Sequence, residues 1–354
     1  MHVSDYVIIT LQSGRNMNIK EIAKKLGVST ATVSRALNDQ PGVSQEMREM
    51  IIKTATQLEY LPNHYARGLA TRVSQTIGFV VDKTRNTFSD DPFYPLIMAG
   101  AEDFLSQYDY HILVTTLDEQ ITQPNQLSII NRGIVDGLIL AGPFIPVQFI
   151  ISLIGSNIPF VLVDNTLSQQ VVNCVLNDDE GGGYASAMHL IEHGHQRIAF
   201  LSGPKEWVSN RERLRGYKRA MEESGLEEYV LQGTETTISS GEAMMKQALE
   251  KWSDLTAVCA INDSVAIGAI RAAIPAGRRI PDDLAVMGFD DISWAIANQP
   301  SLSTVRVFKQ QIGYLAAQCL ISTIHDPHLS PVKTCVTTEL VIRDTCGCHS
   351  TAQP

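Results

Sequence analysis

The sequence predicts an N-terminal all-α headpiece followed by an α/β core of two subdomains with parallel, doubly wound sheets. Residues 18–37 indicate the headpiece, because they hold two short capped helices joined at a glycine. Beyond Ser74, continuous apolar runs such as IGFVV, GLILAG and LAVMGF alternate with amphipathic stretches, which is typical of parallel sheets covered on both faces. At 354 residues and 44% hydrophobic composition, the chain can form more than one hydrophobic core.

The formal charge is divided unevenly along the chain. It is −10 overall, but residues 17–72 carry eight Lys or Arg and five Asp or Glu, a surplus of +3. Residues 73–354 carry −13. The basic segment suits a nucleic-acid partner, while the acidic remainder opposes indiscriminate coating of DNA.

The segment NIKEIAKKLGVSTATVSRAL has the layout of a helix-turn-helix. Asn18 is placed to cap the first helix, Gly27 ends it, and Ser29 caps the second helix, where Val33 and Leu37 face inward. The outer face and start of the second helix are left with Ser29, Thr30, Ala31, Thr32, Ser34 and Arg35. This face fits a major groove, because hydroxyls and helix N-terminal amides hold phosphates and an arginine can donate a bidentate pair to guanine. An ordinary helical hairpin is the alternative interpretation.

The pattern continues with a turn at Asn38 to Gly42 and a third helix from Val43-Ser44 to about Leu58. Further motifs follow in order along nearly the whole chain: YLPNHYARGLA, NDDEGGGYASAMHLIEHGHQRIAFLSGP, RERLRGYKRAM, INDSVAIGAIRA, IPDDLAVMGFDD and ELVIRDTCG. With VSTATVSRALN, these motifs make the chain resemble the lactose/galactose repressor (LacI/GalR) family of bacterial regulators. The resemblance implies a core with the periplasmic-binding-protein arrangement and a ligand held between its subdomains.

The resemblance also implies how operator DNA is bound. Thr30 and Ala31 occupy the positions that vary the choice of bases within the family. The segment from Asn63 to about Thr71 folds into a hinge helix on operator binding. Leu69 matches the leucine that the family inserts into the central minor-groove step, with a plain linker leucine as the alternative. The complete expected set of DNA-binding residues is Asn18, Ser29, Thr30, Ala31, Thr32, Ser34, Arg35, Asn38, Tyr65 and Leu69.

We expect the following domain boundaries. Residues 1–16 form an N-terminal extension that precedes the usual start of the family and reflects a mis-called start codon; they are given no structure. The headpiece covers 17–62, the hinge and linker 63–74, the core 75–348 and the tail 349–354. Within the core, the N-subdomain comprises about 75–176 and 306–336, and the C-subdomain about 177–305 and 337–348.

Four polar residues are expected to contact the effector. Asp164, Asn262 and Asp290 directly follow apolar strands, and Arg213 lies in the segment after the strand IAFLSG. Ligands bind at the carboxyl ends of strands in doubly wound sheets, and each position matches an effector contact of the family. The alternative is that an Asp after a strand caps the next helix, as Asp263 or Asp291 can. Phe93 and Tyr94 match positions where the family brings an aromatic ring against the ligand, with a role in the core as the alternative.

Catalytic and metal sites are not predicted, and no cofactor is expected. Gly181-Gly182-Gly183 lacks the following Lys-Ser/Thr of a phosphate loop and is interpreted as a flexible helix entry. His189 and His193 are four residues apart, but Leu190 stands where a zinc-protease motif has glutamate, so they are interpreted as solvated or capping. The spacing of Cys346, Cys348 and His349 is too tight for a structural zinc site.

The sequence therefore predicts a ligand-gated regulator of transcription that binds a pseudo-palindromic operator as a homodimer. No membrane span or signal peptide is recognised and the scattered cysteines suit a reducing compartment, so a cytoplasmic location is expected. A small sugar is the expected effector, and a tail without heptads favours a dimer over a tetramer. A co-repressor-dependent regulator, either purine-type or phosphoprotein-assisted, remains open, as does a solute-binding protein.

Overall fold

The computed structural model describes residues 19–37, 40–58, 73–83, 92–118 and 120–347. These residues belong to two compact units, Met1–Val73 and Ser74–Pro354, each with its own hydrophobic core. Four of the expected DNA-binding residues lie outside the described residues: Asn18, Asn38, Tyr65 and Leu69.

Three helices form the headpiece: α1 (Ile19–Leu26), α2 (Thr30–Leu37) and α3 (Gln45–Gln57). Each contributes one fully buried side chain to a shared core, namely Ile22, Val33 and Ile51. Gly27 follows α1 with a φ of 65°, a left-handed conformation that glycine adopts without strain. Ser44 caps α3 by accepting a hydrogen bond from the backbone amide three residues later, at 3.3 Å. The helix-turn-helix and the third helix are therefore both present.

The strands of the core, in chain order, are β1 (Thr76–Asp82), β2 (His111–Leu117), β3 (Gly137–Ala141), β4 (Phe160–Val163), β5 (Cys174–Asn177), β6 (Ile198–Ser202), β7 (Tyr229–Gln232), β8 (Ala257–Ala260), β9 (Ala285–Met287), β10 (Thr304–Arg306), β11 (Lys333–Val336) and β12 (Glu339–Val341). Its helices are α4 (Phe93–Leu105), α5 (Ser128–Asn131), α6 (Val147–Ile154), α7 (Asp179–Glu192), α8 (Val208–Glu223), α9 (Ile238–Lys251), α10 (Asp263–Ala273), α11 (Ser293–Ala297) and α12 (Lys309–His325). Short 3-10 helices cover Ser106–Tyr108, Pro124–Gln126 and Asp344–Cys346.

Two parallel sheets organise the core. The first has the strand order β11-β5-β4-β3-β1-β2, and the second has the order β7-β6-β8-β9. All neighbouring strands within each sheet run parallel. β3, β6 and β8 are buried along their whole length, which explains why their sequences are continuous apolar runs.

The chain passes between the two sheets more than once. It leaves the first sheet after β5, enters α7 and builds the second sheet, and then returns through β10 and α12 to β11. β12 follows β11 and pairs antiparallel with β10. The two sheets therefore define two subdomains joined by crossover segments, and the carboxyl ends of their strands carry the residues discussed below.

Reciprocal glycines allow the helices of each subdomain to pack closely. In the first subdomain, a Cβ atom on Gly100 of α4 would lie 1.9 Å from the Gln310 carbonyl oxygen of α12, and one on Gly313 would lie 1.8 Å from the Ile97 carbonyl oxygen. Because these contacts are with backbone, neither glycine can be replaced without separating the two helices.

Gly183 of the glycine triplet 181–183 has the same packing role, so the interpretation of the triplet as a flexible helix entry is wrong. Asp178 caps α7 by accepting a hydrogen bond from the Gly181 amide at 2.9 Å, which places the triplet inside the helix. A Cβ atom on Gly183 would lie 2.3 Å from the Arg213 carbonyl oxygen of α8. Gly183 thus lets α7 and α8 pack together, whereas a Cβ atom on Gly182 would meet the Phe289 ring and one on Gly181 would meet the Asp178 carboxylate.

The histidine pair lies at the end of α7. His193 is the C-terminal cap residue, and its Nδ1 lies 2.7 Å from the His189 carbonyl oxygen. The two rings pack with centroids 4.4 Å apart. The capping interpretation therefore describes His193.

Neither a membrane-crossing helix nor a metal-binding cluster is found among the described residues. None of its helices combines the length and the apolarity needed to cross a membrane. Within the same residues, no group of three or more His, Cys, Asp or Glu is arranged to hold a metal ion.

Candidate functional site

The start of α2 in the headpiece carries a solvent-accessible, hydroxyl-rich surface. Ser29 caps the helix by accepting a hydrogen bond from the Thr32 amide at 3.0 Å, and the two hydroxyls are 2.8 Å apart. Thr30, Ala31 and Arg35 are exposed, while Thr32 and Ser34 are half-buried. This arrangement can place amide and hydroxyl donors on phosphates and extend Arg35 towards base edges.

Arg213 lies at the centre of a buried cluster of charged residues in the core, with only 5% of its surface exposed. Its Nε donates to Asp179 Oδ1 at 2.8 Å, and one terminal nitrogen lies 3.2 Å from Asp290 Oδ1. The other terminal nitrogen donates to the Ile261 carbonyl oxygen at 2.6 Å. The guanidinium carbon lies 3.7 Å from the centroid of the Phe289 ring. Every nitrogen and one face of this side chain therefore have protein partners.

Electrostatics keep Arg213 charged despite its burial. Burial by itself would lower the pKa of the guanidinium, but the carboxylates of Asp290, Asp179 and Asp164 outweigh that effect and raise its pKa. Burial also raises the pKa of Asp179, although its ion pair with Arg213 opposes the shift. The cluster is thus held together by mutual stabilisation of buried charges.

Asp164 extends this cluster into the first subdomain. It follows β4 in a left-handed conformation with a φ of 55°, and Tyr94 at the start of α4 donates its hydroxyl proton to Asp164 Oδ2 at 3.2 Å. Burial, together with the negative charges of Asp179 and Asp290, raises the pKa of Asp164 to about 7, against the opposing effects of Arg213 and Tyr94. Residues from both subdomains therefore act on one another's charge in this region.

Asn262 lies beside the cluster and makes two structural contacts, which leave its amide one further N–H and one further acceptor site. Its Oδ1 accepts a hydrogen bond from the Val265 amide at 2.9 Å and caps α10, and its Nδ2 donates to the Thr236 carbonyl oxygen at 3.2 Å. The capping role that the sequence analysis offered to Asp263 thus belongs to Asn262. Asp263 is fully buried and accepts hydrogen bonds from the Thr304 hydroxyl and the Ile292 amide, and burial with the nearby charge of Asp290 raises its pKa well above the ordinary value.

The two aromatic candidates separate in the structure. Phe93 is 6% exposed and packs in the apolar core of the first subdomain, with its ring centroid 5.9 Å from Lys309 Nζ. The core alternative therefore describes Phe93. Tyr94 is half-buried and reaches the carboxylate of Asp164.

Asp290 and Asp291 form a turn that is fixed to the crossover segments. Both residues have positive φ, at 111° and 54°. Lys309 Nζ donates to both carbonyl oxygens and to that of Val307. Asp291 does not cap a helix; its carboxylate pairs with Arg306 at 2.8 Å and with Arg343. Burial alone would raise the pKa of Asp291, but these two arginines lower it.

Several residues of the site were not found by sequence reasoning. One of them, Asp179, could have been recognised from the sequence, because Asp178 and Asp179 are successive aspartates at a strand-to-helix junction. Lys309 and Phe289 have no distinctive pattern. The same is true of Phe144 and Trp207, whose rings meet edge to face at 4.6 Å between centroids, one after β3 and the other before α8. Only the packing of the two subdomains brings these two rings together.

Comparisons with known proteins agree with this architecture. A model for bacterial regulatory proteins of the lacI family matches residues 18–63, and a periplasmic binding protein-like domain model matches residues 187–346. The chain is 32% identical over 328 residues to the ribose operon repressor of Halalkalibacterium halodurans, covering 92% of this chain and 96% of the relative.

Two solved structures of relatives have the same fold. The lac repressor dimer bound to operator and the anti-inducer ONPF matches with a TM-score of 0.83 and 26% identity, covering 94% of this chain and 99% of that chain. The complex of the transcriptional regulator CelR with cellobiose matches with a TM-score of 0.72 and 30% identity, covering 93% and 99%.

Proposed function

Because this chain belongs to the lacI family of bacterial regulatory proteins, and is a regulator of transcription, we propose that it represses genes by binding a pseudo-palindromic operator as a homodimer under the control of a small sugar-like effector. The effector is held by Asp164, Arg213, Asn262 and Asp290, with Tyr94 on the side of the first subdomain. Phe93 supports the site from the core.

The observation that carries this proposal is the charged cluster shared by the two subdomains. Tyr94 and Asp164 come from the first subdomain, whereas Arg213 and Asp290 come from the second. Carboxylates, a phenol and a guanidinium can accept from and donate to the vicinal hydroxyls of a sugar. A ligand bonded to both sides stabilises one relative orientation of the subdomains, which is what allosteric control requires.

We propose that operator DNA is contacted through the surface at the start of α2. The proposed contacts are Ser29, Thr30, Ala31, Thr32, Ser34 and Arg35, together with Asn18, Asn38, Tyr65 and Leu69. The segment 63–74 serves as the hinge between the headpiece and the core, and Leu69 inserts into the minor groove. Two headpieces then read two half-sites, because a twofold dimer is matched by a twofold operator.

The proposed dimer is supported by exposed apolar side chains on the core. Ile274 and Ile296 are 48% and 64% exposed and lie at the ends of α10 and α11, which pack against each other. Val114 is exposed on β2, the edge strand of the first sheet. We propose that these side chains contribute to the interface between two copies, since the lac repressor dimer is a structural neighbour of this chain.

The solute-binding alternative is disfavoured by the headpiece, whose packed helix-turn-helix has no use in solute transport. On the same ground, we propose that the protein acts on DNA in the cytoplasm and has no catalytic role. A co-repressor stabilises the state that binds operator, whereas an inducer stabilises the state that releases it. One experiment therefore distinguishes the two, by whether the ligand raises or lowers the operator affinity.

The experiment is an operator-binding assay on the full-length protein with and without candidate ligands. The protein is first used to select an operator from random DNA duplexes, and that operator is labelled. The affinity of the protein for this operator is then measured in the presence of each member of a panel of sugars and purines. The proposal predicts that the selected sequence is pseudo-palindromic and that at least one compound changes the affinity of the protein for it. Failure to select any sequence, or an affinity that no compound changes, contradicts it.

A further inference from the structure

The chain enters the core at Ser74 and Gln75, and one carboxylate holds both residues. Asp136 Oδ1 accepts a hydrogen bond from the Ser74 amide at 2.7 Å, and its Oδ2 accepts one from the Gln75 amide at 2.8 Å. Hydrogen bonds to a charged acceptor are the stronger kind, and here both oxygens of one carboxylate bind successive amides. Asp136 therefore fixes the two residues that precede β1, although it lies 62 and 61 positions further along the chain.

The backbone of Gln75 has a conformation that suits this contact. Its φ is 51°, in the left-handed region that residues other than glycine rarely occupy. A left-handed residue turns successive amides towards one anion, and it keeps this conformation only where its surroundings fix it. The Gln75 carbonyl oxygen also accepts a hydrogen bond from the His111 amide at 2.9 Å, which joins it to the start of β2. The entry of the chain into the core thus has one defined backbone geometry.

Tyr110 supports Asp136 from the core of the first subdomain. Only 6% of the surface of Tyr110 is exposed, and its hydroxyl donates a hydrogen bond to the Asp136 carboxylate. Burial, together with the charge and the hydrogen bond of Asp136, raises the pKa of Tyr110 to about 12, so the phenol remains a donor at neutral pH. The backbone of Asp136 is fixed as well, because its amide donates to the Thr76 carbonyl oxygen at 2.9 Å. We call Asp136 and Tyr110 the entry anchor.

The entry anchor and the proposed effector site lie at opposite ends of the first sheet. Asp136 directly precedes β3, which is buried along its whole length, and Gly142 directly follows β3. The Gly142 carbonyl oxygen accepts a hydrogen bond from Asn165, the residue after Asp164, at 3.2 Å. A single buried strand, about 17 Å long at the usual rise per residue, therefore connects the entry anchor with the effector side of the first subdomain.

We propose, on the basis of the operator-binding function above, that Asp136 and Tyr110 are positioning residues for DNA recognition. Ser74 is the last residue of the proposed hinge, so the entry anchor fixes the point and the direction from which each hinge leaves the core. In a dimer, two such fixed points determine the separation of the two headpieces, and hence the spacing of half-sites that the protein accepts. A hinge attached to a loose strand end would accept several spacings.

Operators with altered spacing test this proposal. The full-length protein selects its operator from random duplexes, and its affinity for that operator is compared with its affinity for versions that have one or two base pairs inserted or removed at the centre. Each inserted base pair moves one half-site by about 3.4 Å and rotates it about the DNA axis. Wild type should bind each altered operator at least about tenfold more weakly, because one headpiece loses its half-site. This ratio of affinities should shrink several-fold in Asp136→Asn, where one amide loses its acceptor, and by less in Tyr110→Phe.

The ratio of affinities is a readout that a merely structural role would not change, since partial unfolding lowers the affinity for every operator by the same factor. Asp118→Asn is the matched control, because Asp118 follows β2 at the opposite end of the sheet and also holds a backbone amide, that of Gln120, at 3.1 Å. Its ratio should equal that of wild type. A ratio that is unchanged in both Asp136→Asn and Tyr110→Phe, or that changes equally in Asp118→Asn, overturns the proposal. Should Asp136→Asn fail to fold, Tyr110→Phe decides by the same criterion.

The outcomes also separate this proposal from the function on which it rests. A protein that selects no operator contradicts the proposed function, and the entry anchor with it. If wild type selects an operator but binds every spacing equally well, the regulator stands and the positioning role of the entry anchor is rejected.

Discussion

The rings of Phe144 and Trp207 meet edge to face with their planes at 87°, and this contact joins the two subdomains of the core. Phe144 belongs to the loop after β3, whose Gly142 carbonyl oxygen accepts a hydrogen bond from Asn165, the residue after Asp164. Trp207 is the N-terminal cap residue of α8, the helix that carries Arg213. Opening the subdomains must therefore break an aromatic contact that neighbours the proposed effector site.

Replacing Phe144 by Ala should expose Trp207, because an aromatic pair of this geometry contributes about 0.5–1.5 kcal/mol beyond the area it buries. The measurement is acrylamide quenching of Trp207 fluorescence in a background where Trp252 and Trp294 are Phe. Quenching should increase in Phe144→Ala. Val147→Ala, at an exposed position nearby, is the control and should leave quenching unchanged. Equal quenching with and without the Phe144 ring contradicts the contact.

Replacing Gly183 by Ala should destabilise the second subdomain and disturb Arg213. The new methyl group would lie 2.3 Å from the Arg213 carbonyl oxygen, so α8 must move away from α7. We expect a loss of about 1–3 kcal/mol in the free energy of unfolding, measured by urea denaturation, as is usual for overpacking. Gly155→Ala is the matched control, because a Cβ atom there meets nothing closer than 3.9 Å. Equal stability of Gly183→Ala and wild type contradicts the close packing.

Stability should depend on pH through Asp164. Its pKa is raised from 3.8 to about 7 on folding, so the folded protein binds this proton more tightly than the unfolded chain does. The stabilisation from Asp164 is therefore complete below about pH 4 and is lost as the pH rises to about 7. Across that pH range, the free energy of unfolding should fall less for Asp164→Asn than for wild type. Parallel pH profiles for the two proteins exclude a raised pKa.

Arg35→Ala should weaken operator binding by about 1–3 kcal/mol per half-site and relax the preference at one base pair, if Arg35 donates to a guanine in the major groove. The measurement compares the affinity for the selected operator with the affinity for random DNA at one salt concentration. A phosphate contact would instead weaken both by the same factor, which is the result that contradicts base recognition.

Sequence reasoning reached the fold and part of the site for identifiable physical reasons. The continuous apolar runs of β3, β6 and β8 indicate strands that are buried on both faces. Helical periodicity together with capping residues indicates the helices of the headpiece. The rule that ligands bind at the carboxyl ends of strands led to Asp164 and Asp290, which the structure brings to the same buried arginine.

The remainder depends on tertiary contacts that have no local pattern. Whether Asn262 or Asp263 caps α10 is decided by the Thr304 hydroxyl, which engages Asp263 from a distant strand. The Gly183 packing is set by α8, and the contact between Phe144 and Trp207 by the relative position of two sheets. Composition and spacing within a segment cannot report on such partners.

The most direct test of the account is a titration of the labelled operator complex with the identified ligand, for wild type and for Asp290→Asn. Asp290 pairs with Arg213 and is held by Lys309 at the crossover segments, so it is placed to couple ligand binding to subdomain orientation. We predict that Asp290→Asn binds the operator with the affinity of the unliganded wild type but shifts the midpoint of the ligand response by about 2–4 kcal/mol, which is a factor of roughly 30 or more. An unchanged midpoint in a variant that still binds operator would remove Asp290 and its buried partner from the effector site and contradict the account.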